Sequence, residues 1–136
     1  MGIKRYVANA DTTITNAFKP GLNLRGTGSN SGESDILEIF HIYAQESSAS
    51  HEVARTLIKF PVEHITTDRA NGDVGVSGST DFFLRMFNAN HSQTLPRQIT
   101  VIVSPMSRSW TEGIGLDMET YLDNGTANWI SASAGS

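Results

Sequence analysis

Apolar residues along this chain recur with a period of two far more often than with the helical period of 3.6. In residues 54–60, Ala54, Thr56, Ile58 and Phe60 fall on one face while Arg55 and Lys59 fall on the other, which predicts a half-buried strand ended by Pro61. Residues 98–104 alternate in the same way and place Ile99, Val101 and Val103 inward. In residues 80–88, Phe82, Leu84 and Met86 alternate with Asp81, Phe83, Arg85 and Phe87, predicting a strand with aromatic rings on its second face as well. Residues 35–44 carry apolar side chains on both alternating sets, Ile36, Phe40 and Ile42 against Leu37, Ile39 and Tyr43. That pattern predicts a central strand covered on both sides. The Thr-rich, β-branched stretch 6–18 predicts one or two further short strands.

The intervening segments 19–34, 45–52, 68–79 and 89–97 are rich in Gly, Ser, Asn and Asp and predict surface loops. Residues 62–67 predict a short turn or helix, and residues 116–122 a helical turn with Asp117 near its N-terminus, where the helix dipole favours a carboxylate. Several short strands joined by such loops predict an all-β fold: an antiparallel β-sandwich, jelly-roll-like, in a single domain spanning 1–136. Residues 1–7 and 131–136 are expected to be tails that order on a partner.

Composition narrows the function classes. At 136 residues the chain can bury a core of its own. Charged residues are 18%, below the usual quarter, which suits half-buried strands better than solvated helices. A net charge of -4 with no Lys/Arg cluster argues against nucleic-acid binding, which needs a basic stripe. Without cysteine there is no disulfide, thiolate zinc site or thiol nucleophile. No apolar run reaches the length of a membrane span, and no apolar segment of the signal-peptide kind follows Met1, so a cytoplasmic setting is expected, without membrane partners.

Candidate chemistry gathers in residues 98–129, which hold both tryptophans and the acids Asp117, Glu119 and Asp123. Those three carboxylates are the best oxygen-ligand set for calcium, although their spacing is not that of an EF-hand and solvated loop acids are the ordinary reading. Trp110 beside Glu112 could form an aromatic platform with a carboxylate for a sugar ring. Its alternative is a plug at the end of the sandwich, with Glu112 bracing the turn. Trp129 is expected to anchor the C-terminal tail or to sit in an interface. His41, His51, His64 and His91 are scattered and lack metal-ligand spacing. The run of Gly26, Thr27, Gly28, Ser29, Asn30, Ser31 and Gly32 resembles a phosphate loop only superficially, since it lacks the Lys-Ser/Thr of a P-loop. No Gly-x-Ser-x-Gly elbow occurs, so no catalytic residue and no cofactor are expected.

Two resemblances add to this. Ala10 to Ile14, Arg55 to Pro61, Phe82 to Phe87 and Ser109 to Gly113 come in an order that resembles the DNRLRE-type β-sandwich, a carbohydrate-binding-module-like jelly roll. His91 to Pro96 and Trp110 to Glu119 resemble stretches of small virion structural proteins of large tailed bacteriophages. The second resemblance implies a capsid decoration or cement protein in the virion, assembled in the host cytoplasm. It would bind the major capsid or other virion proteins and its own copies, as a trimer in many such proteins. Loops 19–34, 45–53 and 68–79 would then make subunit contacts. The first resemblance implies the alternative, a carbohydrate-binding module or host-surface adhesin built on Trp110.

Overall fold

The computed structural model describes residues 3–92, 94, 97–116, 121, 122 and 125–133. Its regular elements are strands β1 (Ala10–Thr15), β2 (His41–Tyr43) and β3 (His51–Lys59), followed by helix α1 (Glu63–Ala70). The strands form an antiparallel sheet in the order β1-β3-β2. β1 lies along β3 from Ala10 opposite Lys59 to Thr15 opposite Ala54, and β2 pairs His41 with Val53 and Tyr43 with His51. The described part of the chain is therefore β-rich, with one short helix. None of its helices is long and apolar enough to cross a membrane.

β3 is the strand expected from the alternation at 54–60, extended by three residues toward the N-terminus. Ala54 is buried while Arg55 and Lys59 are exposed, as the alternation requires. α1 starts just after Pro61, has Glu63 in its first turn and Arg69 in its last, both favourable to the helix dipole, and buries no residue. It is tethered from outside. Lys4 Nζ donates to Asp68 at 3.0 Å and to Asp73 at 3.1 Å, and Tyr6 Oη donates to Asp68 at 2.7 Å.

Three expectations are corrected. Residues 35–44 do not form a central strand; only His41–Tyr43 pairs, on one side, at an exposed sheet edge. Residues 80–88 and 98–104 form no regular element and join no described sheet. No main-chain hydrogen bond links any described residue from 81 to 90 or from 97 to 110 to another. Their apolar side chains stay in solvent, Phe83 at 89% and Ile102 at 87% exposure. The loop at 19–34 is not wholly a surface loop, because Ser29, Asn30 and Ser31 are among the most buried residues of the chain.

The core is consequently polar. Among the described residues its buried apolar members are Ile14, Ala17, Ala54 and Ala127, against eight buried polar residues that include Thr12, Thr13, Thr15 and Glu52. Burying such groups is tolerable only when they are hydrogen-bonded, and no buried side-chain N or O among the described residues lacks a partner. Thr15 Oγ1 donates to Val53 O and accepts from Ala17 N–H, both at 3.0 Å, while Thr13 Oγ1 accepts from Glu38 N–H at 3.0 Å. Glu52 Oε2 accepts from Phe18 N–H at 2.8 Å. The Gln45 amide, with its nitrogen turned toward Glu52, donates to both carboxylate oxygens at 2.7 and 2.8 Å.

Candidate functional site

The C-terminal third is tied to β1 by the Glu112 side chain and to the segment after β1 by a main-chain bond, and it is bonded within itself. Asp11 N–H donates to Glu112 Oε1 at 2.5 Å, Thr111 N–H to Ala132 O at 2.9 Å, and Trp129 N–H to Thr27 O at 3.0 Å. The junction depends on close backbone approach. A Cβ on Gly115 would fall on the Asn30 carbonyl, one on Gly32 on the Gly113 carbonyl, and one on Gly113 on the Asn30 side chain. Asn30 fills the space the glycines leave: its Oδ1 accepts from Gly115 N–H at 3.0 Å and from Gly32 N–H at 3.2 Å. Gly32, with Gly113 and Gly115, thus serves less as part of a flexible stretch than in a packed crossing of two chain segments.

This arrangement gives Glu112 a bracing role. Its carboxylate holds the first residues of β1 rather than facing a pocket with Trp110. Burial, and then the Glu112 carboxylate, push the Asp11 carboxyl above the usual range. Trp110 is half-buried and Trp129 likewise. The Arg55 guanidinium lies 4.4 Å from the Trp129 ring centroid, a cation–π contact that pins residue 129 to β3. Asp117, Glu119 and Asp123 lie outside the described residues, as does most of the helical turn expected at 116–122. Among the described residues no group of three or more His, Asp or Glu could hold a metal ion.

Sequence reasoning treated the histidines as scattered, yet β2 and β3 bring two of them together. His41 and Tyr43 have ring centroids 4.2 Å apart, and His51 lies 5.8 Å from His41 and 6.1 Å from Tyr43. The signal was present in the spacing, since a hairpin turning at 44–50 sets Tyr43 opposite His51. A shallow hollow of about 270 Å³ lies between the N-terminal segment and α1 and is lined by Lys4, Arg5, Tyr6, His64, Thr67 and Asp68. Three of these groups are engaged with one another: hydrogen bonds from Tyr6 and then Lys4 hold the Asp68 carboxyl below the usual range.

Residues 80–92 and 97–110 form two exposed limbs of the chain, together called the arm; residues 93, 95 and 96 between them lie outside the described residues. Phe82, Phe83, Leu84, Met86 and Phe87 in the first limb and Ile99, Val101, Ile102 and Val103 in the second are all exposed. Exposed apolar residues in such number are the raw material of an interaction site. The chain exposes 10302 Å², whereas a compact monomer of 14.8 kDa exposes about 7000 Å², an excess of about 3300 Å². No protein-family model matches the chain, no curated protein matches it, and no solved structure matches it.

Proposed function

We propose that this chain is a structural, non-enzymatic subunit that works by associating with other polypeptides: a capsid decoration or cement protein of a tailed-phage virion. The observation that supports this reading is the surplus of exposed apolar strand-forming surface in residues 80–110. A free subunit that leaves five large apolar residues of 82–87 in water gains by covering them, and burial repays about 25 cal/mol per Å². An assembling particle provides such cover. The virion setting itself rests on the resemblance of residues 91–96 and 110–119 to phage structural proteins. In this reading the antiparallel, jelly-roll-like sandwich expected from the sequence is completed only in the assembly. The sugar-platform alternative is weakened by Glu112, whose Oε1 is taken up by the Asp11 main chain at 2.5 Å.

The test is localisation on particles. Antibodies raised against the chain are applied to intact tailed-phage particles purified from the source of the sequence and viewed by electron microscopy. Regular labelling of the head or tail is expected. Particles that carry none of the chain, by labelling and by peptide mass spectrometry, overturn the virion reading.

A further inference from the structure

The sheet has two outer edges, and they are in different states. The outer edge of β1 is occupied: Asp11 N–H is bonded to Glu112, Thr13 O accepts from Ser31 N–H at 3.1 Å, and Ile14 bridges Asn30. The outer edge of β2 is open. Phe40 O accepts from Ala54 N–H at 3.0 Å and Ala44 N–H donates to Ser50 O at 2.8 Å, so residues 40, 42 and 44 point their main-chain groups at β3. Strand alternation then turns the N–H and C=O of His41 and Tyr43 outward, where no described residue meets them. An unpaired edge of this kind is a template for a further strand.

The same chain carries the complement. Residues 81–87 and 99–103 have strand alternation in sequence and make no main-chain hydrogen bond to another described residue. Their exposed apolar residues match those beside the open edge, Ile36, Ile39 and Ile42, which are also exposed. We infer that the arm of one copy is donated to the β2 edge of a second copy, which returns its own arm or passes it on, closing an oligomer by strand exchange. A chain that holds both the donor strands and the acceptor edge is self-complementary, which favours a second copy over an unrelated partner. The surface excess of about 3300 Å² per chain exceeds the roughly 1000–2500 Å² per partner that an obligate interface of about 2000–5000 Å² in total buries. The inference rests on the proposed self-association, and it names the surface used and the way it is satisfied.

The test uses the full chain. Light scattering is expected to give a whole-number multiple, two or more, of 14.8 kDa. Amide exchange at residues 81–87 and 99–103 and at His41 and Tyr43 is expected to be slow. A monomeric mass with fast exchange at all these positions overturns the inference. The variant L84P/V101P removes donors from both limbs and is expected to run as a monomer with β1–β3 protection retained; an oligomer unaffected by both prolines overturns it too. Because that variant could misfold, a second measurement avoids it. The chain has no cysteine, so Y43C protein can be co-refolded with F83C or F87C protein and oxidised. Heterodimeric disulfide between Tyr43→Cys and either arm position is expected, and its absence from both pairs is an overturning result. A strand-exchanged oligomer absent from virions would sink the virion reading and leave this inference standing. A virion-bound monomer would do the reverse.

Discussion

Asn30→Ala tests whether the polar junction holds the fold. Asn30 is fully buried, and its Oδ1 accepts from the buried Gly115 N–H at 3.0 Å and from the half-buried Gly32 N–H at 3.2 Å. Alanine removes the acceptor and leaves both donors in place. A buried donor without a partner costs about 1–3 kcal/mol, and a half-buried one that can find water costs about 0.5–1 kcal/mol. The expected loss is therefore about 1.5–4 kcal/mol, a large fraction of the roughly 5–15 kcal/mol that stabilises an ordinary domain. At this chain length that corresponds to a drop in Tm of roughly 5–14 °C. Urea unfolding followed by tryptophan fluorescence reads it, because Trp129 is bonded to Thr27 beside the same junction. Protein concentration is held fixed, since association would raise apparent stability. The exposed Asn23→Ala serves as control and should stay within about 0.5 kcal/mol. An Asn30→Ala loss below about 0.5 kcal/mol, with Gly115 amide exchange unchanged, would refute the claim that this side chain joins the two segments.

Three further outcomes follow from the same geometry. Gly115→Ala should be worse than Asn30→Ala, because its Cβ meets the fixed Asn30 carbonyl. Gly72→Ala, in open space at φ +81°, should cost only about 1–2 kcal/mol; circular-dichroism melts rank the pair, and equal losses would contradict the crossing. Asp11 has a folded pKa above its unfolded one, so its ionisation opposes folding, and stability falls as pH rises through that interval. Asp11→Asn should therefore gain a few tenths of a kcal/mol at pH 7, where partial exposure screens the effect, and gain nothing below about pH 3; a loss at pH 7 would be the contrary result. Asp68 has a lowered pKa, so the bonds from Tyr6 and Lys4 persist at neutral pH and are lost as pH falls through the folded value, below the ordinary carboxylate range. Asp68→Asn should speed amide exchange at residues 4–6 and raise tryptic cleavage after Arg5 at pH 7, and unchanged cleavage would show that the N-terminal segment is held by something else.

What the sequence made legible is local. β3 could be read from Ala54, Thr56, Ile58 and Phe60 because one face meets the interior and the other meets water, and period two reports that directly. β1 was legible from its threonines, but its burial was not. Hydropathy treats Thr12, Thr13 and Thr15 as marginal, whereas here each hydroxyl has a main-chain or side-chain partner within the fold. The crossing at Asn30 was hidden for a related reason. Glycine beside serine and asparagine carries the same composition whether it makes a loose loop or lets two backbones touch. Only the distant Gly113 and Gly115, seen against residues 30–32, distinguish the two. Glu112 was expected to brace its own turn and Trp129 to anchor the tail or sit in an interface; the contacts they make, with Asp11 and Arg55, lie far away in sequence and no spacing rule connects them.

The arm marks a different boundary. Residues 80–88 and 98–104 have the strongest strand patterns after β3, yet they pair with no strand among the described residues. The pattern is not thereby misleading. Alternation of large apolar residues states what environment those residues require, and it is silent on which polypeptide provides it. Within one domain the nearest provider is usually the same chain, and so alternation is read as an internal strand. Here the edge at β1 is occupied, few apolar residues among the described ones are buried, and nine large apolar side chains stay exposed. In the proposed reading, the residues that would be core in a closed sandwich serve as interface. On that proposal the sandwich pattern and the association of copies are one physical demand, met between molecules.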